Sequence, residues 1–475
     1  MLLRLQKKTV SLLCAGLFSL PALLNAADAG QNPPDASNAS ADHAPPDGPF
    51  YPGAPKSSSR LQGTLGDYTL RFYGTLLLNI STSGTVQVGQ DIPLWPLPGS
   101  SPVTFPDGTT RRAGSVGDTL FTARQSILGL QVTSKTTNGW NASGLLEMDF
   151  FGSRPVDPTF QPQDRVLNQP RLRRGYLQLD NGNWRIIAGQ DKMILAPLDP
   201  ISLSHIAVPL GASAGDLWAW LPQVRLENRH KMGDTTVLLQ AGVLRPSFGD
   251  ARLADQTGVN GSAIDSTFSG FGERARQPFY QARAAVSHPA AGRTATVGVS
   301  AHYGRERVGA DRDIDSWATA FDVTLPLMPK LIFRGEGYAG SNLVAFDGGI
   351  IQGLAFVAPV VSSAGAITTP AKIQKIGDAG GWAELIVPVT AKDIFYAGAG
   401  TDDPRDQNLL PGSGRSKNSF TWASYFRKIT PDVTASAEWS FWDFRTRTFS
   451  AAGALGPRAT SGRGNVVNIG IAYQF

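Results

Sequence analysis

The chain closes on Gly464-Asn465-Val466-Val467-Asn468-Ile469-Gly470-Ile471-Ala472-Tyr473-Gln474-Phe475, and this stretch decides the fold. Val467, Ile469, Ile471, Tyr473 and Phe475 share one face of an extended strand; Asn468, Gly470, Ala472 and Gln474 share the other. Such period-two alternation sets large apolar groups against one medium and small or polar groups against another. In a soluble sheet the apolar face turns inward, whereas in a barrel immersed in lipid it turns outward. A half-buried terminal strand of a soluble β-protein would alternate in the same way, so the opposite end of the chain is needed to choose.

That end begins Met1-Leu2-Leu3-Arg4-Leu5-Gln6-Lys7-Lys8, continues in an apolar run from Val10 to Leu24, and closes on Leu24-Asn25-Ala26. A cationic start, a short apolar stretch and a small-residue exit predict a secretory signal peptide over residues 1–26. The run is too short for a spanning helix, and no later stretch approaches eighteen continuous apolar residues. Cys14, the single cysteine, lies inside this segment, after a residue that is not small and too early for a lipoprotein site. A mature chain without thiols excludes disulfides and thiolate-held metals. Of 43 basic residues three lie in the leader, so the remainder nearly balances the 38 acidic ones, which argues against nucleic-acid binding. Hydrophobic content of 41 % suits a barrel, whose strands alternate between lipid and lumen and so resemble a soluble protein in composition.

Residues 27–60 are rich in Pro, Ala, Asp, Ser and Asn, and cannot bury enough apolar surface to offset their ordering entropy. They read as a disordered periplasmic leader, with partner docking as the alternative. From Tyr68 onward the sequence becomes a series of alternating segments of about ten residues, separated in turn by short turn signals and long irregular insertions. The short turns include Asn138-Gly139, Asp180-Asn181-Gly182-Asn183, Met232-Gly233-Asp234, residues 289–292, residues 326–329 and Thr430-Pro431-Asp432. The second strand is expected over 122–134. The count predicts an all-β chain whose residues 61–475 form a transmembrane antiparallel β-barrel of about sixteen strands. An even number returns both termini to the periplasmic side, and closure is required because an open edge cannot survive in hydrocarbon.

Five stretches then occur in order: Leu145-Leu146-Glu147-Met148-Asp149-Phe150-Phe151-Gly152, Arg171-Leu172-Arg173-Arg174-Gly175-Tyr176-Leu177-Gln178-Leu179, Ala188-Gly189-Gln190, Pro222-Gln223-Val224-Arg225-Leu226 and Gly335-Glu336-Gly337-Tyr338-Ala339-Gly340. Together they resemble the trimeric porins of Gram-negative outer membranes, most closely the DcaP-like branch, over residues 68–475. The aromatic terminus at Phe475 is similar to the signal by which such barrels reach their assembly machinery. The resemblance implies a homotrimer in the outer membrane, in contact with its lipid and lipopolysaccharide. It also implies a third extracellular loop folded into the lumen, no cofactor, and passage of small hydrophilic solutes, with small anions such as dicarboxylates favoured. One departure stands out: that branch tends to carry an N-terminal coiled coil, whereas residues 27–60 have no heptads and many prolines.

In this frame residues 193–221, following the fifth strand, form the inward constriction loop, with Asp199, His205 and Asp216 as its ionisable groups. The facing wall is supplied by Arg171 and Arg173 on strand four, Lys192 ending strand five, Arg225 on strand six, Arg283 on strand eight and Arg334 on strand eleven. Arg174 falls on the opposite strand face from Arg171 and Arg173, so all three reach the lumen only if a bulge intervenes. Guanidinium groups opposite a few carboxylates create a transverse field that orders small anionic solutes, and the guanidinium stays charged. The competing reading pairs these arginines with Glu147, Asp149, Glu227 and Glu336, as ion pairs that merely hold the wall. Glu147 and Asp149 share a strand face and could pass for catalytic carboxylates, but on such a wall they read as arginine partners.

Other motifs carry less. Asp402-Asp403-Pro404 with Asp406 offers few ligands for calcium, and His43, His205, His230, His288 and His302 lack metal spacing. Gly211-Ala212-Ser213-Ala214-Gly215 matches a nucleophile elbow in letters, but no helical period follows it. There is no P-loop and no dinucleotide fingerprint. Three rivals remain: an outer-membrane barrel enzyme, a structural or receptor barrel with a closed lumen, and a soluble secreted β-protein.

Overall fold

Sixteen strands form one antiparallel wall in the computed structural model, which describes residues 61–475 apart from 90, 153–167, 249–269, 310, 358, 364 and 451–452. The signal peptide and leader expected over 1–60 lie outside the described residues. In the first half the strands are β1 (Tyr68–Ser83), β2 (Asp118–Thr122 and Ile127–Ser134), β3 (Asn141–Gly152), β4 (Gln169–Asp180), β5 (Trp184–Lys192), β6 (Trp220–Met232), β7 (Thr235–Leu244) and β8 (Phe279–Ala290). The second half contributes β9 (Arg293–Gly309), β10 (Arg312–Met328), β11 (Leu331–Ser341), β12 (Gly377–Pro388), β13 (Asp393–Asp402), β14 (Arg415–Lys428), β15 (Val433–Phe449) and β16 (Leu455–Gln474).

The wall closes on itself because β1 pairs with β2 along one edge and with β16, from Thr75↔Gln474 to Ser83↔Val466, along the other. The stagger of that seam leaves the start of β1 uncovered. A short strand, Gln62–Leu65, turns back through Gly66 at φ +60 and pairs with residues 68–71 there. Between the two, Phe475 exchanges backbone hydrogen bonds with Gly74 at 3.1 and 3.2 Å. Every part of the seam is thus bonded, as hydrocarbon demands.

Local irregularities depart from the expected segments. The second strand is not continuous over 122–134 but breaks between Thr122 and Ile127, where Gln125 and Ser126 turn inward and Ser126 Oγ accepts the Leu77 N–H at 3.0 Å. β10 runs on to Met328 across a register shift at Pro326, and β8 runs to Ala290, so both turns are tighter than the sequence suggests.

Alternation in β16 reads out the environment directly: Ile469 is 54 % exposed while its neighbour Asn468 is 0 %. The same holds for Leu76 and Leu78 on β1, Leu177 on β4, Val299 on β9, Phe321 on β10 and Phe395 on β13, all exposed on the outer face. An apolar exterior over a polar interior is the inverse of a soluble protein and belongs in a bilayer. Tyr68, Trp184, Phe395 and Tyr473 ring the end where β1 starts and β16 finishes, and Tyr280, Tyr303 and Trp317 ring the other, as interfacial girdles do.

The core lies inside the tube. Residues 193–219 leave β5 and enter the lumen, where Met193, Leu195 and Leu217 pack with Phe279, Leu343 and Phe346. Ile201, Leu203 and Ile206 pack with Leu77, Ile386 and Phe426, and Leu210 with Trp382, Phe420 and Trp442. Each such side chain contributes about 1.5–3 kcal/mol on burial, enough to hold a loop without strands of its own.

Candidate functional site: the inward loop and the arginine wall

Between Leu172 and Arg174 the register of β4 against β3 shifts by one residue. Leu172 stays on the lipid face, while Arg171, Arg173 and Arg174 all turn to the interior. The bulge frees backbone carbonyls, and Gln190 of β5 donates to those of Leu172 and Arg173 at 2.9 and 3.1 Å. Each guanidinium then meets a carboxylate. Arg171 reaches Asp149 at 2.7 Å, Arg173 reaches Glu147 at 2.9 Å and Asp149 at 3.3 Å, and Arg174 reaches Asp191 at 2.7 Å. Aromatic rings separate the cations: Arg173 lies 4.4 Å and Arg171 5.1 Å from the Trp220 ring centre, and Arg124 lies 3.9 Å from that of Phe151.

The remaining candidates fall into two further groups. Arg225 binds Asp191 and Glu227, both at 2.9 Å, and a relay through Gln240 (2.8 Å to Glu227, 3.2 Å to Arg283) joins it to Arg283. Arg283 holds Asp322 through both oxygens, at 2.9 and 2.6 Å. This fork lies directly over Gly298, where a methyl group would sit 2.5 Å from the Asp322 carboxylate. At the loop itself, Lys192 contacts Asp199 at 2.5 Å and the carbonyls of Pro197 and Leu198 at 2.9 and 3.0 Å. Arg334 pairs with Glu384, and its Nη1 donates to the Asp199 carbonyl at 3.4 Å. Glu336 does not pair with an arginine as the competing reading has it; it accepts the Leu198 N–H at 2.6 Å.

His205 sits between Ser202 and Glu438, but both approach the same nitrogen, Nδ1, at 3.0 and 3.1 Å, while Nε2 is buried without a partner. Proton relay through an imidazole needs the nucleophile on one nitrogen and the acid on the other, so this trio is a loop anchor. Asp216 is 1 % exposed, and burial, with Asp199 nearby, pushes its carboxyl well above the usual range. Of the twelve candidate residues, Arg171 and Asp199 keep the most side-chain exposure, 30 and 19 %.

Several residues that matter here carried no signal in the sequence. As the loop crosses the lumen, wall side chains on successive strands satisfy its backbone in turn. Gln281 of β8 accepts Ile194 and Leu195 N–H at 2.8 and 3.0 Å, and Ser300 of β9 accepts that of Ala196 at 3.3 Å. Glu384 of β12 accepts Ile201 N–H at 3.1 Å, and Gln125, in the break of β2, accepts Ile206 N–H at 3.1 Å. The Gly211–Gly215 motif explains itself as packing: Gly215, at φ +117, lies so close to β12 that a methyl group would be 2.3 Å from the Gly381 carbonyl.

The fold is shared with a solved channel. The outer-membrane channel DcaP of Acinetobacter baumannii matches with a TM-score of 0.58 at 15 % identity, over 87 % of this chain and 99 % of that one. The anion-selective porin from Comamonas acidovorans matches with a TM-score of 0.49 at 12 % identity, over 86 and 100 % of the two chains. OmpF of Salmonella typhi in complex with daunomycin gives 0.49 at 10 % identity, over 87 and 100 %. No protein-family model matches the chain, and no curated protein matches it in sequence. The architecture, a closed sixteen-strand antiparallel β-barrel with an apolar outer face, is the one the DcaP channel has.

Proposed function

We propose that the chain is a passive outer-membrane porin, a homotrimer that admits small hydrophilic solutes and favours small anions. The observation that carries this reading is the loop over residues 193–219, bonded strand by strand around the inside of a closed wall whose outer face is apolar. Such an element sets the bore of a tube. The anionic bias rests on Arg171, whose side chain stays 30 % exposed while that of its partner Asp149 is 0 %, so the cation meets water and its counter-charge does not. Contact with lipopolysaccharide, and delivery to the assembly machinery through Phe475, belong to the same proposal. Purified protein in planar bilayers should insert in conductance steps of three, with a reversal potential in a salt gradient set by anions. A cation-directed potential removes the selectivity and leaves the channel standing.

A closed-lumen barrel is the second reading, and it too has an observation behind it: Met193, Leu195, Leu203 and Leu217 are fully buried against the inner wall. Liposome swelling with sugars and dicarboxylates separates the two, since a sealed barrel admits neither. The barrel-enzyme rival would require a working trio at Ser202, His205 and Glu438, whose shared nitrogen argues against it.

A further inference from the structure

The ion pairs of the inner wall leave one guanidinium over. Arg71, near the start of β1, is 8 % exposed and points to the interior in register with Tyr73, Thr75 and Leu77. Its Nε and Nη2 are buried without a hydrogen-bond partner. Among the described residues its side chain is the only one, of the arginines in the sixteen strands, with no hydrogen bond, ion pair or ring contact to protein. Glu147, the carboxylate on the neighbouring wall, is already taken: Tyr73 donates to its Oε2 at 2.8 Å and Arg173 to its Oε1 at 2.9 Å. On one flank Arg71 meets Gln131, with Leu145 and Tyr176 beyond at its level, and on the other Gln62; none of them is anionic.

Two of the three guanidinium nitrogens of Arg71 are thus withdrawn from water without a counter-charge, which is unfavourable, and a small anion is the simplest remedy. We infer that Arg71 holds a small anion, a halide or a carboxylate, on the periplasmic side of the inward loop. The loop packs at Leu77 through Leu203, six residues further along β1, about 20 Å of strand. Arg71 is therefore a station separate from Arg171, and anions that pass the loop reach it next. This assignment rests on the channel proposed above, from which the anion arrives.

Two measurements test it. Wild-type, Arg71→Lys and Arg71→Gln proteins, each checked for folding by heat-modifiable migration on gels, are compared in planar bilayers under a potassium chloride gradient and again with potassium succinate. The anion-to-cation permeability ratio should fall about threefold or more in Arg71→Gln and recover in Arg71→Lys, as loss of one unpaired charge near the path requires. A larger fall with succinate than with chloride identifies a carboxylate as the preferred occupant; equal falls identify any small anion. Separately, crystals soaked in bromide should show anomalous density at Arg71 in wild type and none in Arg71→Gln. An anion-selective wild type with an unchanged ratio in Arg71→Gln and no bromide at Arg71 overturns the assignment and leaves the channel intact. A non-conducting wild type overturns the channel instead, and the bromide density alone then decides whether Arg71 binds an anion.

Discussion

At the scale of single residues, exposure separates two kinds of arginine. Arg225 and Arg334 are sealed against carboxylates at 2 and 1 % side-chain exposure, whereas Arg171, though paired with Asp149, keeps 30 % of its side chain exposed. Removing a buried cation strands its partners, so Arg225→Met should destabilise the barrel by about 3–5 kcal/mol and barely move selectivity. Arg171→Gln should do the reverse, lowering the anion preference at nearly unchanged stability; urea unfolding and reversal potentials on both variants check the contrast. The side-chain inventory of this wall was partly legible in the sequence. Arg171 and Arg173 share a strand parity, and the condition for Arg174 to join them, a bulge, was readable as a condition. Its fulfilment was not, because the residue that seals the bulge, Gln190, comes from the next strand and looks like any polar residue there. Arg71 was overlooked for a related reason: what marks it is the lack of a partner, and no local pattern records that.

Among elements, the inward loop and the segment between β11 and β12 behave as inserts held by the wall. Gly215→Val would drive a side chain into the Gly381 carbonyl and demand positive φ of a β-branched residue. We expect a displaced loop, seen as a changed single-channel conductance with the barrel still folded. Glu384→Gln weakens the hold on Ile201 and leaves Arg334 without its counter-charge, so conductance should become noisier. The second insert is pinned where Gly349 and Ile350 donate to Asp378 and Asp402 at 2.7 and 2.8 Å, with Ile350 and Ile351 at φ 54 and 56. Next to them Asp347 is half-buried, and the loss of water around it pushes its carboxyl up to about 7. The docked segment therefore keeps a proton that a released one gives up above the ordinary carboxylate value of 3.8, so docking is strongest in acid and weakens as pH rises through 7. Hydrogen exchange at residues 344–352, corrected for intrinsic rates, should quicken between pH 5 and 8 relative to other loops, and Asp347→Asn should abolish that pH dependence. That an insert would follow the fifth strand was legible through resemblance; its route across the lumen was not, since Gln125 and Glu384 lie far from Ile206 and Ile201 in sequence.

For the whole molecule, strand count and lipid-facing parity were legible because a bilayer imposes the same two-residue rhythm on every segment, from Leu76 and Leu78 to Ile469 and Ile471. The ends of strands were less so: β9 and β10 run as one long hairpin to Gly309 and Arg312, through charged residues that carry no apolar alternation. The most consequential global feature is the seam. Because β1 finds its second neighbour only in β16, the earliest strand of the wall waits for the latest, and the polypeptide must be kept open until β16 has been made. A chain cut before Val466 would present two raw borders to hydrocarbon, and should give no heat-modifiable species on gels and be cleared by proteases instead. Quality control is thus written into the connectivity: only a polypeptide that carries both β1 and β16 can become a ring.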